Sequence, residues 1–118
     1  MLHLSASCTY YFYHAPTDMR KGFDSLSGVI QQHMQLNILS GSVFIFMNKK
    51  RNQVKLLQWE GDGLGLYYKR LEKGTYERPF ASTDGSYIIS AQQLQFILQG
   101  IQLKSIKMKK RYQHNVSK

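Results

Sequence analysis

A single cysteine, Cys8, stands in this chain of 118 residues. One thiol excludes an internal disulfide and a cysteine-cluster zinc site, and no base is apparent beside it to make it a nucleophile. His3, His14, His33 and His114 are scattered without ligand spacing, so zinc is not expected there either. No serine sits in a Gly-x-Ser-x-Gly setting. No apolar run approaches bilayer-spanning length, and the opening MLHLSASC lacks the charged start and long apolar centre of an export signal. A reducing, cytoplasmic setting without a membrane partner is the expectation. Acid is scarce as well: seven Asp and Glu against sixteen Lys and Arg, a formal charge of +9. Such an excess favours polyanions, because neutralised phosphates release counterions. Six of the bases, Lys104, Lys107, Lys109, Lys110, Arg111 and Lys118, follow Leu103; without them ten basic face seven acidic residues, or +3. The expected layout is one domain over 1–103 and a basic tail over 104–118, acting as a flexible polycation.

Apolar residues make up 42%, and fifteen aromatics help to fill a single core. The chain is organised around 43–79, where three apolar runs, 43–47, 54–59 and 64–71, are short enough for strands. Asn48-Lys49-Lys50-Arg51-Asn52 has the form of a hairpin loop, and Gly61-Asp62-Gly63 of a tight turn. A three-stranded antiparallel meander follows, with Val54 and Leu56 on one face and Lys55, Leu57 and Trp59 on the other. Its register should hold Leu56 and Leu66 on a common buried face. Residues 9–13 are a β-prone aromatic run ending at Ala15-Pro16. Thr17 or Asp18 can cap a helix over 18–35, its apolar stripe made of Phe23, Leu26, Val29, Ile30 and His33 or Met34. Residues 75–80 and 87–89 are candidate extended segments. Ser90 with Gln93 forms a capping box for a helix over 90–100 that carries Leu94, Ile97 and Leu98 and stops at Gly100. The predicted fold is α+β: a small antiparallel sheet, the meander plus an N-terminal strand, with the first helix on one face and the second beside it.

Several constellations bear on function. Arg20 and Lys21 lie at the predicted helix start, where a phosphate would meet backbone donors; the alternative is that Arg20 pairs across the fold with Asp62 or Glu60. Lys49, Lys50 and Arg51 repel one another in a loop that can follow a phosphate backbone. Lys55, Lys69 and Arg70 are interleaved with Trp59, Tyr67 and Tyr68, a mixture suited to phosphate contacts beside stacking surfaces. In the tail, Lys107, Lys109, Lys110 and Arg111 are further phosphate candidates. Asp18, Glu60, Asp62 and Glu72 are the only carboxylates that could gather for metal-dependent nuclease chemistry. Asp62 is explained more simply by its turn, so neither a catalytic residue nor a metal or other cofactor is expected. The stretch GDGLG lacks the lysine and helix start of a nucleotide loop.

The order of a hydrophobic strand, a basic loop, K-L-L-x-W-[DE]-G-D-G and then Y-K-R-L-E-x-G-x-[FY]-x-x-P resembles the small accessory protein of insertion sequences of the insertion sequence 66 family. Residues 17–22 are similar to the family's T-D-[ML]-R-x-G signature, and the likeness covers roughly residues 10–101. The motif positions here are Asp18, Arg20, Gly22, Lys55, Trp59, Gly61, Asp62, Gly63, Lys69, Arg70, Leu71 and Pro79. The resemblance implies an accessory protein of transposition, working alongside a separate transposase; it does not define that protein's chemistry, and the residues point to no active site. Two roles then compete: a DNA-binding factor at the element's ends, and an adaptor docked on the transposase. A nuclease is third.

Overall fold

The computed structural model describes residues 4–79 and 86–100. The described residues form five strands: β1 (Tyr10–Tyr13), β2 (Val43–Met47), β3 (Gln53–Trp59), β4 (Leu64–Arg70) and β5 (Ser86–Ile89). They make one sheet in the order β4-β3-β2-β1-β5. β2, VFIFM, is buried along its whole length, as an uninterrupted apolar run must be when both of its faces are covered. On one face Val43, Ile45, Val54 and Leu56 pack with Tyr10, Phe12 and Tyr76, and with Leu94 and Ile97 of helix α2 (Ala91–Gln99). On the other, Phe44, Phe46 and Leu57 pack under Leu26 and Val29 of helix α1 (Phe23–Val29) and under Ile30 and Met34 of the π-helical turn that continues it. The fold is α+β as expected, but the two helices lie on opposite faces of the sheet rather than side by side. Among the described residues no helix is long and apolar enough to cross a membrane.

The meander β2-β3-β4 is antiparallel throughout. The sheet as a whole is mixed: β1 runs parallel to β2 and antiparallel to β5. A parallel neighbour needs a crossover, and residues 14–42, with α1, supply it. The β3–β4 register differs from the expectation by one residue. Trp59 pairs with Leu64, so Glu60 joins the turn, and its N–H donates to the Gly63 carbonyl at 2.8 Å. Gly61 takes the left-handed backbone there, at φ 96°. One residue of slip reverses the faces: Leu66 pairs with Leu57, Tyr67 with Leu56, and Leu56 and Leu66 end on opposite sides.

The first helix starts at Phe23 and not at 18, with Gly22 at its N-cap and no side-chain cap. It ends where expected, at Gln35, whose left-handed backbone (φ 56°) closes the π-helical turn with Leu36 N–H donating to the Ile30 carbonyl at 3.1 Å. The second helix has the capping box of Ser90 and Gln93 and the stop at Gly100.

Tyr76 is fully buried, yet among the described residues its hydroxyl has no hydrogen-bond partner. Burial pushes its phenol up to about 12, with Tyr67 adding to the rise. An orphaned buried hydroxyl costs about 1–3 kcal/mol of desolvation. Tyr76→Phe is therefore expected to raise the melting temperature in a thermal scan monitored by circular dichroism. A lower melting temperature would show that the hydroxyl is bonded in solution.

Candidate nucleic-acid interface

Three segments that are distant in sequence meet at the β2–β3 end of the sheet. The turn after β1, the β2–β3 hairpin tip and Tyr68 of β4 enclose an open cleft of about 580 Å³, lined by Pro16, Thr17, Asp18, Met19, Arg20, Asn48, Lys49, Lys50, Gln53 and Tyr68. The turn is built by Asp18. Its carboxylate accepts the Arg20 backbone N–H at 2.9 Å, and its carbonyl accepts the Lys21 N–H at 3.1 Å. Thr17 fastens the turn to the sheet, its N–H donating to the Met47 carbonyl at 2.9 Å. Beneath it lies Lys55, whose ammonium donates to the carbonyls of Met19 at 2.8 Å and Lys21 at 2.7 Å. The same ammonium sits 4.5 Å from the centre of the Tyr68 ring, an arrangement that attracts a cation to the ring's electron-rich face. Tyr68 is 50% exposed, and its hydroxyl donates to the Gln53 side-chain carbonyl.

The hairpin tip is held by asparagine. Asn48 Oδ1 accepts the N–H groups of Asn52 and Gln53 at 3.0 Å each, and its Nδ2 donates to Asn52 Oδ1 at 2.7 Å. Lys49, Lys50 and Arg51 are left exposed at the tip. Arg78 braces the tip from below, donating from Nη1 to the His14 carbonyl at 3.0 Å and, more weakly, from Nη2 to the Asn48 carbonyl at 3.5 Å; burial lowers its pKa.

Arg20 makes a close pair with Asp18: Nε lies 3.1 and 3.0 Å from the two carboxylate oxygens and Nη2 lies 2.6 Å from Oδ2. Those side-chain hydrogen bonds hold the Asp18 carboxyl down at about 2 and raise the Arg20 guanidinium. A depressed carboxyl stabilises the fold fully above its ordinary value of 3.8 and loses that contribution as pH falls toward about 2. The pair is thus intact at any pH near neutrality.

Of the sequence candidates, Arg20, Lys49 and Lys50 are brought together in the cleft. Arg20 lies in a turn and not at a helix start, and its acidic partner is Asp18, two residues away, in place of Asp62 or Glu60. Lys55 is buried and its ammonium is taken up by two backbone carbonyls and a ring, which suits a support for the turn better than a phosphate contact. Lys21 is half-buried, with its carbonyl on Lys55. Lys69 and Arg70 are exposed at the end of β4, with Arg70 loosely paired to Glu72 at 3.8 Å. Lys107, Lys109, Lys110 and Arg111 lie outside the described residues.

The remaining motif residues shape the frame. Leu71 N–H donates to the Asn52 carbonyl at 2.8 Å, and the Pro79 carbonyl accepts from the Tyr87 hydroxyl at 2.9 Å. Trp59 is half-buried at the end of β3, and Asp62 is exposed in its turn. The Glu60 carboxylate lies over Gly65, within 2.7–2.9 Å of where a Cβ would stand, so a side chain there would push the carboxylate aside. Among the described residues no group of three or more His, Cys, Asp or Glu could hold a metal ion. Sequence reasoning did not single out Asn48, Gln53 or Arg78; an asparagine at each end of the basic loop was the available signal for the first.

Residues 8–108 match the family described as IS66 Orf2 like protein. Two proteins of Sinorhizobium fredii (strain NBRC 101917 / NGR234) are similar to the chain. Uncharacterized protein y4hO is 39% identical over 85 residues, spanning 72% of this chain and 73% of that protein. Uncharacterized protein y4jC is 26% identical over 94 residues, spanning 80% of each. No solved structure matches the chain.

Proposed function

The chain belongs to the IS66 Orf2-like family, a family of transposition accessory proteins and not of known enzymes, and from that premise we propose that it binds the DNA of its element through the cleft between the 16–20 turn, the 48–52 hairpin tip and Tyr68. The observation that supports this reading is the convergence of Arg20, Lys49 and Lys50 around a half-exposed aromatic ring. Lys49 and Lys50 supply attraction to the phosphate backbone, and an exposed ring offers a base a stacking surface whatever its sequence. Arg51 extends the cationic tip, Lys69 and Arg70 extend the basic surface along β4, and the basic residues after Leu103 add non-specific affinity. The setting of this reading is cytoplasmic, with the element's ends as the DNA and the transposase as the companion protein.

A second reading, an adaptor docked on the transposase, is favoured by one observation: Ile88 is 65% exposed on the edge strand β5. Salt separates the two. Each phosphate neutralised on duplex DNA contributes about −0.9 to the slope of log affinity against log salt, whereas apolar docking is not weakened by salt in this way. The variant Lys49→Ala/Lys50→Ala/Arg51→Ala is expected to melt like the parent and to show a slope shallower by about 2–3 in fluorescence anisotropy with labelled duplex. Unchanged affinity at low salt would remove the tip from the interface. Salt-insensitive binding to the transposase, with none to DNA, would establish the adaptor instead.

A further inference from the structure

Resting on that DNA-binding reading, the geometry points to Arg20 as a guanine-reading residue that Asp18 holds in position. A guanidinium has two edges on which parallel donors can meet a pair of acceptors. The Asp18 carboxylate occupies the edge formed by Nε and Nη2. Among the described residues the edge formed by Nη1 and the second Nη2 proton has no partner, and the Arg20 side chain is 91% exposed. Arg20 therefore enters the cleft with one fork free and its plane fixed from behind.

The charge of the pair decides what that fork takes. Asp18 stays ionised near neutrality and cancels the guanidinium charge, so a phosphate brought to the free edge would gain little attraction and would be repelled by the carboxylate. A carboxylate from a protein partner meets the same repulsion. A neutral group with two adjacent acceptors escapes it. Among the base edges of the major groove only guanine presents two, N7 and O6; adenine sets a donor beside its N7, thymine offers one acceptor and cytosine a donor. In this division of labour Lys49 and Lys50 attract the backbone, Tyr68 offers a face to a base, and Arg20 selects.

The test compares affinities for mixed-sequence DNA in which every guanine is left natural, replaced by 7-deazaguanine, which lacks N7 alone, or replaced by inosine, which keeps N7 and O6. Each is presented as duplex and as single strand, and the tighter-binding form is read. The parent protein is expected to bind the 7-deazaguanine DNA about tenfold more weakly and the inosine DNA unchanged at the major-groove edge. Arg20→Lys keeps the charge and loses the fork, so it should bind natural and 7-deazaguanine DNA alike. Lys49→Ala/Lys50→Ala should weaken both equally and keep their ratio. Asp18→Asn should steepen the salt dependence and shrink the ratio, because the freed charge then attracts phosphate. Equal, salt-dependent binding of natural and 7-deazaguanine DNA by the parent would overturn guanine reading while leaving the phosphate role of the cleft in place. Failure to bind any of the DNAs at low salt would overturn both. Should Arg20→Lys fail to fold, the parent's ratio alone decides.

Discussion

Lys55→Met should lower the melting temperature by at least about 10 °C and weaken DNA binding, while leaving the salt slope where it was. The ammonium of Lys55 gives hydrogen bonds of 2.8 and 2.7 Å to the carbonyls of Met19 and Lys21 from a buried position. Hydrogen bonds made by a charged donor contribute about 1.5–3 kcal/mol each. Methionine keeps the length and apolar stem of the side chain but donates nothing, so the two carbonyls lose their partner and the 17–22 turn loses its post. Arg20 and the floor under Tyr68 are then no longer held in place. Had Lys55 met a phosphate directly, the same substitution would leave the melting temperature alone and make the slope shallower by about 0.9. The two measurements move in opposite patterns, so one pair of experiments on one variant separates a positioning lysine from a contacting one.

That lysine also explains why the start of the first helix was not legible. Thr17-Asp18 followed by an apolar stripe has the local signature of a capped helix. A helix beginning there would need the Met19 carbonyl for the N–H of residue 23, and the structure gives that carbonyl to a side chain 36 positions away. Asp18 spends its carboxylate on Arg20 instead of on a helix end. Neither fact is encoded within reach of a local pattern. The meander was legible because its signals are local: a polar loop of five residues, a glycine turn, and alternating strand faces. Even there the register turned on a single residue, Glu60, whose side chain lies over Gly65. The parallel pairing of β1 with β2 and the placing of the helices on opposite faces depend on the path of the crossover, which apolar spacing leaves open. In the cleft, Lys49, Lys50 and Arg20 were recognisable as cations, but nothing local joined a turn near residue 18 to a tip near residue 49.

Adjacent residues of β2 provide the most severe test of the architecture. Phe44 is fully buried against Leu26 and Leu57 and is stacked on Tyr11 with ring centres 5.6 Å apart. Ile45, next to it, is 1% exposed and belongs to the opposite core with Leu94 and Ile97. In a sheet covered on one side only, one of the two would face water, and its truncation would cost little. With a helix on each side both must be expensive: Phe44→Ala about 3–5 kcal/mol and Ile45→Ala about 2–5 kcal/mol. Total stability of a domain this size is about 5–15 kcal/mol, so either truncation consumes a large share and could prevent folding altogether. Phe44→Leu and Ile45→Val keep the comparison measurable, the second costing about 0.5–1.5 kcal/mol, with urea titration as the readout. A cost near zero at either position would mean that one face of the sheet is open and that the helix over it is misplaced. Because the Thr17 N–H is fastened to the carbonyl of Met47 at the end of this strand, loosening β2 also loosens the cleft. Below its melting temperature each variant should nevertheless bind DNA with the parent's salt slope, since neither substitution removes a charge.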